Sequence, residues 1–373
     1  MPEAAGAAGR VLIVTPDYPP AHGGIQILMG KLARLLPVAA LHVVTLDHPE
    51  AAGHDRAHAV SVHRVAARPR RLRIGALSVR ALACAARFHP DVSLLGHVAA
   101  APVGAVLRAA GIPVVTYAHA EEFRVWPARS AFAMRRADAV IAVSRHTRMM
   151  ALDAGAPADR VHLIHHGVDP AAAGAAHRPG AGPPTVLTVA RMRDPHKGHD
   201  VMLHAMTLVR HRVPEARWVV VGDGPLRPRY QQLAHQLGIA GAVDFIGAAA
   251  DAERDAWLRR ADVFAMPTRL PDGKRGGEGF GIAYLEAAAH GLPVVAANAG
   301  GAPDAVDPGA TGLLVDPTDH RQVADALVSL LAEPARARAM GERAIEWAGR
   351  FAWQRTADQV ADVLHSVAER GVR

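Results

Sequence analysis

Short apolar segments alternate with longer segments of helical length along most of this chain. Thirteen of the apolar segments are three to six residues long, contain many Val residues and are bounded by Pro, Gly, Asp or His, a pattern typical of buried strands. They are Val11–Thr15, Leu41–Leu46, Ser61–Val65, Val92–Leu95, Pro113–Tyr117, Val140–Val143, Val161–His165, Thr185–Ala190, Trp218–Val221, Val243–Ile246, Val263–Met266, Val294–Ala297 and Leu313–Val315. The alternation predicts an α/β fold with parallel sheets and helices on both faces.

The alternation stops once, at an Ala-, Gly- and Pro-rich stretch that is typical of a linker. Two domains are also expected because 373 residues exceed the size at which a single core usually keeps growing. We therefore predict one Rossmann-like domain over residues 1–169, a linker over 170–184 and a second Rossmann-like domain over 185–350. Helical segments follow the last strand, and we expect the final one, within 351–373, to pack back on the first domain.

Composition indicates a globular protein, with 50% hydrophobic and 21% charged residues. No apolar run approaches the roughly 20 residues of a membrane span, and Val11–Val14 is too short for the core of a signal peptide. A single cysteine, Cys84, is typical of a reducing compartment. We expect a cytoplasmic protein.

The net charge of +7 is concentrated in the first half of the chain. Residues 1–169 hold 19 Lys/Arg against 12 Asp/Glu, while residues 170–373 hold 23 of each. Four arginines cluster at Arg68, Arg70, Arg71 and Arg73. They are interpreted either as a solvated loop or as a peripheral contact with an anionic lipid at the inner face of a membrane. We expect no nucleic-acid partner, because no aromatic residues alternate with these arginines to stack bases.

Chemistry is expected in the loops after the strands, because open parallel sheets bind ligands at the carboxyl ends of their strands. Gly23 and Gly24 follow the first strand and allow close approach of a phosphate or sugar. His119 follows the fifth strand, where it is placed to donate a hydrogen bond to a ligand, although a lone histidine is more often a packing residue. Arg191 and Lys197 follow the first strand of the second domain, and two cations there suit a diphosphate.

A glycine-rich turn before a short helix carries the most distinctive pattern. It reads Glu278-Gly279-Phe280-Gly281-Ile282 and continues to Glu286, and its unpaired N–H groups suit an anion. Both glutamates are placed to address one ligand, or they are ordinary helix-terminal and solvated acids. Gly247, at the end of its predicted strand, is a further candidate for presenting backbone groups to a base.

Several other chemistries lack their usual signatures in this sequence. There is no Asp-x-Asp pair and no typical spacing of Cys and His ligands, so we expect no metal. No Gly-x-Ser-x-Gly motif is present, and Cys84 lies within a predicted helix, so a serine or cysteine nucleophile has no support.

Taken together, these motifs resemble the retaining glycosyltransferases of family 4, and the resemblance covers nearly the whole chain. It rests on Gly23-Gly24, His119, the hinge segment His166–Asp169, Arg191 with Lys197, Gly222–Pro225, Glu278-x7-Glu286, Gly291–Val295 and Gly300-Gly301. The family implies the GT-B architecture, in which two Rossmann-like domains face each other across a cleft. The N-terminal domain would bind the acceptor and the C-terminal domain the nucleotide-sugar.

The resemblance also implies a role for each matching residue. Arg191 and Lys197 would neutralise the diphosphate, Glu278 would contact the sugar hydroxyls, Glu286 the ribose, and His119 the sugar. Backbone groups at Gly24 and at Gly279–Ile282 would add donors. No cofactor or metal would be required, because the nucleotide-sugar is itself a substrate and its diphosphate would accept the proton of the acceptor.

Within the family, the segments around Glu278 and Gly300 are most similar to phosphatidylinositol mannosyltransferases that use GDP-mannose. Transfer of mannose to a lipid-linked acceptor is therefore our first interpretation. A UDP-hexose transferase acting on a small soluble metabolite, a nucleotide-sugar epimerase and an inactive sugar-binding protein remain as alternatives.

Overall fold

A computed structural model describes residues 8–66, 72–170, 182–271 and 275–371 of the chain. The chain divides into two compact units. The first comprises Met1–Gly167 together with Trp353–Arg373, and the second comprises Val168–Ala352.

The first unit contains a parallel sheet of seven strands in the order β3-β2-β1-β4-β5-β6-β7. The strands are β1 (Ala8–Val14), β2 (Val38–Leu46), β3 (Ser61–Val65), β4 (Val92–Leu95), β5 (Val114–Ala118), β6 (Ala139–Ala142) and β7 (Val161–Leu163). β4, β5 and β6 lie inside the sheet and are fully buried, as is β1 from Val11 onward, which explains their mainly apolar sequences.

The second unit repeats this topology with six parallel strands in the order β10-β9-β8-β11-β12-β13. The strands are β8 (Thr185–Val189), β9 (Arg217–Val221), β10 (Val243–Gly247), β11 (Val263–Met266), β12 (Val294–Ala297) and β13 (Gly312–Val315). In each unit the first strand pairs with both the second and the fourth, so the direction of winding reverses beside it. This reversal creates the crevice at which such sheets bind ligands.

Helices connect the strands and cover the faces of both sheets. The first unit contains α1 (Gly24–Leu35), α2 (Ala51–Arg56), α3 (Arg73–Phe88), α4 (Ala101–Ala109), α5 (Glu121–Val125), α6 (Pro127–Arg136), α7 (Arg145–Asp153) and, from the end of the chain, α14 (Trp353–Gly371). The second unit contains α8 (His199–Arg212), α9 (Arg227–Gln236), α10 (Asp251–Arg260), α11 (Ile282–Ala289), α12 (His320–Leu331) and α13 (Pro334–Gly349). No helix within the described ranges is both long and apolar enough to cross a membrane.

The last helix, α14, joins the first unit although it follows the second unit in the chain. Trp353, Val360, Leu364 and Val367 form its buried stripe, at the spacing of an amphipathic helix. The backbone carbonyl of His165 accepts a hydrogen bond from Thr356 Oγ1 at 3.1 Å. The hydrophobic effect thus places the C-terminal helix with the N-terminal sheet.

The α/β fold class predicted from the sequence is confirmed, and all thirteen predicted strands are present. The first unit ends at Gly167 rather than at residue 169. Most of the predicted linker, 171–181, lies outside the described residues, and residues 182–184 belong to the second unit.

Candidate active site

The loops after β8 and β11 meet at the carboxyl edge of the second sheet, because these two strands are parallel neighbours. Gly198 ends the first loop with a φ of +79°, and a Cβ at this position would lie 2.2 Å from the carbonyl oxygen of Pro267 in the second. The backbone N–H of Arg269 also donates to the carbonyl of His196 at 2.8 Å. Only glycine at 198 permits this approach, which brings the cationic loop beside the glutamate loop.

Lys197 and Glu278 form an ion pair across these two loops. Lys197 Nζ donates to Glu278 Oε2 at 2.7 Å, and the two side chains are only 22% and 15% exposed. Burial by itself would raise the pKa of Glu278, but the Lys197 ammonium, with smaller contributions from His196 and the Phe280 N–H, outweighs it and holds the pKa below its ordinary value. The carboxylate is therefore ionised at neutral pH and fixes the ammonium at the sheet edge.

The turn after Glu278 leads directly into the N-terminus of α11. Gly281 precedes the helix with a φ of +99°, and no side chain of the described residues caps it. A Cβ on Gly301 would lie 2.0 Å from the carbonyl oxygen of Gly279, and the Gly301 N–H donates to the Glu278 carbonyl at 2.8 Å. Two glycine loops thus pack backbone to backbone, and the first N–H groups of α11, which no described side chain caps, suit an anion.

Tyr284 anchors this turn to the sheet. Its hydroxyl donates to the carbonyl of Met266, the last residue of β11, at 2.6 Å and lies 3.2 Å from Thr268 Oγ1. The ring is fully buried and packs closely against Gly281. The position of the turn relative to the strand is therefore set by a satisfied buried hydroxyl.

Glu286 lies one helical turn after Ile282, the first residue of α11, and faces a different cation from Glu278. Arg254 Nη1 of α10 is 3.9 Å from Glu286 Oε1, and Arg254 also contacts Asp255 at 2.9 Å and Asp251 at 3.1 Å. Burial raises the pKa of Glu286, while Arg254 opposes the rise. Arg254 was not singled out from the sequence, in which it is one arginine among several on a charged helix.

The other sequence candidates of the second unit occupy distinct positions. The guanidinium of Arg191 is exposed and has no ion-pair or hydrogen-bond partner among the described residues, so it is available to a ligand. Gly247 ends β10 with a φ of +90°, and its carbonyl accepts a hydrogen bond from the Gly222 N–H at 2.7 Å. That carbonyl is already engaged within the protein.

At the equivalent edge of the first sheet lie Gly23, Gly24 and His119. Gly24 begins α1, and no described side chain caps this helix, so its N-terminal N–H groups also point into the crevice of their own sheet. Glu122 is buried and accepts hydrogen bonds from the backbone N–H of His119 at 2.6 Å and of Ala120 at 2.9 Å. This carboxylate holds the loop that carries His119. Its only signal in the sequence was an acid in the first turn of a helix.

The hydrogen bonding of His119 corrects the role expected from the sequence. Nε2 lies 2.8 Å from the Gly96 carbonyl oxygen, so Nε2 must carry a proton and donate it. Burial lowers the pKa of His119, and the neutral ring therefore offers a ligand an acceptor at Nδ1 rather than a donor.

Of the arginine cluster, Arg68, Arg70 and Arg71 lie outside the described residues. Arg73 is the first residue of α3.

Comparisons with known proteins agree with this arrangement. The family model described as "Glycosyltransferase Family 4" matches residues 22–172, and that described as "Glycosyl transferases group 1" matches residues 174–347. A GDP-mannose-dependent alpha-(1-6)-phosphatidylinositol monomannoside mannosyltransferase of Mycobacterium tuberculosis is 36% identical over 380 residues, covering 95% of this chain and 98% of the relative.

Two further matches are more distant or cover less of the chain. A D-inositol 3-phosphate glycosyltransferase of Thermobispora bispora is 36% identical over 232 residues, 58% of this chain and 52% of the relative. The crystal structure of Anabaena HepE in complex with UDP superposes with a TM-score of 0.80 at 22% identity, covering 96% of this chain and 100% of that chain. At that identity the structural match establishes the fold alone.

Proposed function

Since this chain belongs to glycosyltransferase family 4, we propose that it transfers mannose from GDP-mannose to a phosphatidylinositol-linked acceptor, with retention of anomeric configuration and without a metal ion. Membership of the family makes the chain a glycosyltransferase with a nucleotide-sugar donor. The choice of donor and acceptor is supported by the mycobacterial relative, which matches this chain over almost its whole length.

The Lys197–Glu278 pair beside the N-terminus of α11 is the observation that carries the proposal. In our proposal, Lys197, Arg191 and the N–H groups of Gly279, Gly281 and Ile282 stabilise the negative charge that develops on the leaving diphosphate, while the Phe280 N–H donates to Glu278. Charge stabilisation of this kind, by preorganised groups, is often the largest single contribution to catalysis. Glu278 has acceptor positions left beside Lys197 and receives hydrogen bonds from the sugar hydroxyls.

The remaining contacts complete the donor site of the proposal. Glu286 accepts hydrogen bonds from the ribose hydroxyls, and Arg254 keeps that carboxylate oriented. We propose that the backbone at Gly247 contacts the base. For the first unit, taken by itself, we propose that Gly23 and Gly24 supply backbone donors and that neutral His119 accepts a hydrogen bond from a bound substrate.

Retention follows in the proposal from attack on the same face that the leaving group departs from. The acceptor hydroxyl forms a bond to the anomeric carbon as the bond from that carbon to the β-phosphate oxygen breaks. The proton of the acceptor passes to the departing diphosphate. This reaction needs no enzyme nucleophile or bound metal, because the cations of the protein stabilise the charge on the leaving diphosphate.

The acceptor assignment gains support from the charge of the first half of the chain. We propose that the arginines of the sequence cluster Arg68, Arg70, Arg71 and Arg73 attract an anionic lipid at the cytoplasmic face of a membrane. Neutralising all four arginines should weaken binding of the protein to phosphatidylinositol vesicles at low salt. Unchanged binding would remove the peripheral contact from the proposal.

A transfer assay with a matrix of donors and acceptors tests the proposed function. Purified full-length protein is incubated with GDP-mannose, UDP-glucose or UDP-N-acetylglucosamine, and with phosphatidylinositol monomannoside or inositol 3-phosphate, with and without EDTA. We expect a mannosylated lipid with an α linkage only from GDP-mannose, unchanged by EDTA. Transfer from a UDP-sugar to inositol 3-phosphate would instead establish the soluble-acceptor alternative, which the Thermobispora bispora relative favours. Turnover lost in EDTA, in the unchanged protein and equally in Cys84→Ser, would refute the metal-free mechanism.

A further inference from the structure

A cluster of two histidines and the single cysteine lies in the first unit, on elements that carry no residue of the proposed site. His42 is on β2, His63 on the neighbouring edge strand β3, and Cys84 on α3, which packs over both strands. The strands pair with His42 opposite Ser61 and Val44 opposite His63. Both histidines therefore project from the same face of the sheet, toward the helix that carries the cysteine.

The donor atoms of these side chains converge on one point. His63 Nε2 is 3.0 Å from His42 Nδ1, Cys84 Sγ is 3.6 Å from the same nitrogen, and all three atoms lie within 4.8 Å of one another. Tetrahedral zinc, with bonds of about 2.0 Å to nitrogen and about 2.3 Å to sulfur, separates two nitrogens by about 3.3 Å and a nitrogen from a sulfur by about 3.5 Å. The two separations that involve His42 Nδ1 depart from these values by only a few tenths of an ångström, and the third is at most 4.8 Å.

The surroundings hold the candidate ligands in place. The ring of Phe88 stacks on His42 with centroids 4.0 Å apart and an interplanar angle of 11°. Cys84 is buried among the apolar residues of α3 and the sheet. Little reorganisation is therefore needed to bring the three atoms onto an ion.

We propose that His42, His63 and Cys84 bind one divalent transition-metal ion of the zinc type, with a solvent molecule as the fourth ligand. The combination of imidazole and thiolate selects such ions over Mg²⁺ or Ca²⁺. Sequence spacing does not indicate the site, because its ligands come from three separate elements. A bound ion would clip α3 to the edge strand β3 and stabilise that side of the first unit.

Arg80, which contacts His63, provides a further test of the metal site. Arg80 Nη2 lies 3.1 Å from His63 Nδ1 and donates to it in the metal-free protein. When Nε2 binds a metal, Nδ1 carries the proton of the neutral ring, and a guanidinium, which can only donate, then faces another donor. Metal binding therefore requires the exposed Arg80 side chain to move away, so its removal should strengthen binding.

Titration of the full-length, metal-free protein with Co²⁺ and Zn²⁺ tests the site. We expect one ion per chain and, with Co²⁺, the absorption bands of a thiolate-bound tetrahedral ion. Cys84→Ser should abolish the thiolate band. His42→Gln and His63→Gln should each weaken binding at least tenfold, since even the loss of a residue behind a ligand costs that much. Arg80→Gln should bind more tightly than the unchanged protein.

His162→Gln is the matched control. His162 is a half-buried histidine on β7, the other edge strand of the same sheet. This variant should bind Co²⁺ and Zn²⁺ as the unchanged protein does, and Zn²⁺ should raise its melting temperature but not that of Cys84→Ser.

Absence of the thiolate band in the unchanged protein would overturn the proposal, as would undiminished affinity in both histidine variants. If a histidine variant fails to fold, Cys84→Ser and the cobalt spectrum decide the question alone. The result is independent of the transferase assay, because neither readout measures activity.

Discussion

Replacing Lys197 by Met tests whether its ion pair with Glu278 organises the donor site. The change keeps the length of the side chain and removes the ammonium, which leaves a carboxylate that is only 15% exposed without its 2.7 Å partner. A hydrogen bond to a charged group contributes about 1.5–3 kcal/mol of stability. A partly buried carboxylate whose partner is removed loses most of this contribution. We expect the variant to lose roughly 2 kcal/mol of unfolding free energy at neutral pH, within these limits.

The loss of unfolding free energy in Lys197→Met should depend on pH. The pKa of Glu278 lies below its ordinary value, so its ionised form stabilises the folded state above the ordinary pKa, and that stabilisation is lost as the pH falls through the lowered value. Without the ammonium, burial raises the pKa instead, and the carboxyl becomes protonated at higher pH. The difference in unfolding free energy between the two proteins should therefore narrow on acidification.

Urea unfolding of the full chain, followed by hydrogen exchange at the amides of β11, reports on the unit that contains the pair. Lys197→Met, Glu278→Gln and the double variant form a cycle, and we expect the double variant to lose clearly less than the sum of the two single losses. Turnover of Lys197→Met should fall at least about a hundredfold, as expected for a lost charge-stabilising group. Additive losses of stability, or a difference that stays constant with pH, would refute the interpretation of the pair.

Two further predictions concern the same unit. Binding of GDP-mannose, measured by calorimetry, should weaken as the pH falls through the raised pKa of Glu286, because protonation removes an acceptor. Glu286→Gln should bind GDP-mannose weakly over the whole pH range. An equally steep pH dependence in that variant would contradict the assignment of Glu286 to the ribose hydroxyls. Gly301→Ala should reduce both turnover and stability, since its Cβ would lie 2.0 Å from the Gly279 carbonyl oxygen, whereas Gly241→Ala, with nothing within 4 Å, should change neither; equal effects would show that the loop contact is unimportant.

The strands could be predicted because buried strands consist mainly of apolar residues, which the sequence shows directly. Val92–Leu95 and Val263–Met266 lie inside their sheets and have the bounds expected from the sequence, and both are apolar apart from Ser93. The short helices α5 and α6 could not be predicted in the same way. Each spans ten residues or fewer, and a kink at Trp126 and Pro127 interrupts the periodicity that would reveal one longer helix.

In the candidate site, too, features that are local in the sequence could be predicted, and contacts between distant residues could not. Lys197 and Glu278 were each singled out from the sequence as ligand contacts, since both follow strands of one parallel sheet and the glycines mark tight turns. Arg254 and Glu122 were missed, because their roles depend on contacts with Glu286 and with the loop around His119. A charged residue on a helix has the same local sequence whether it faces solvent or another side chain.

The sequence by itself determined the α/β class, the strands and the two loops whose charges meet at the second sheet, because buried runs and turn glycines are local features. Only the tertiary structure decided which atom of His119 bonds to the Gly96 carbonyl, which cation faces Glu286, and that His42, His63 and Cys84 converge. Those outcomes depend on distances between side chains that are far apart along the chain, and such distances are set by the packing of the sheets and helices.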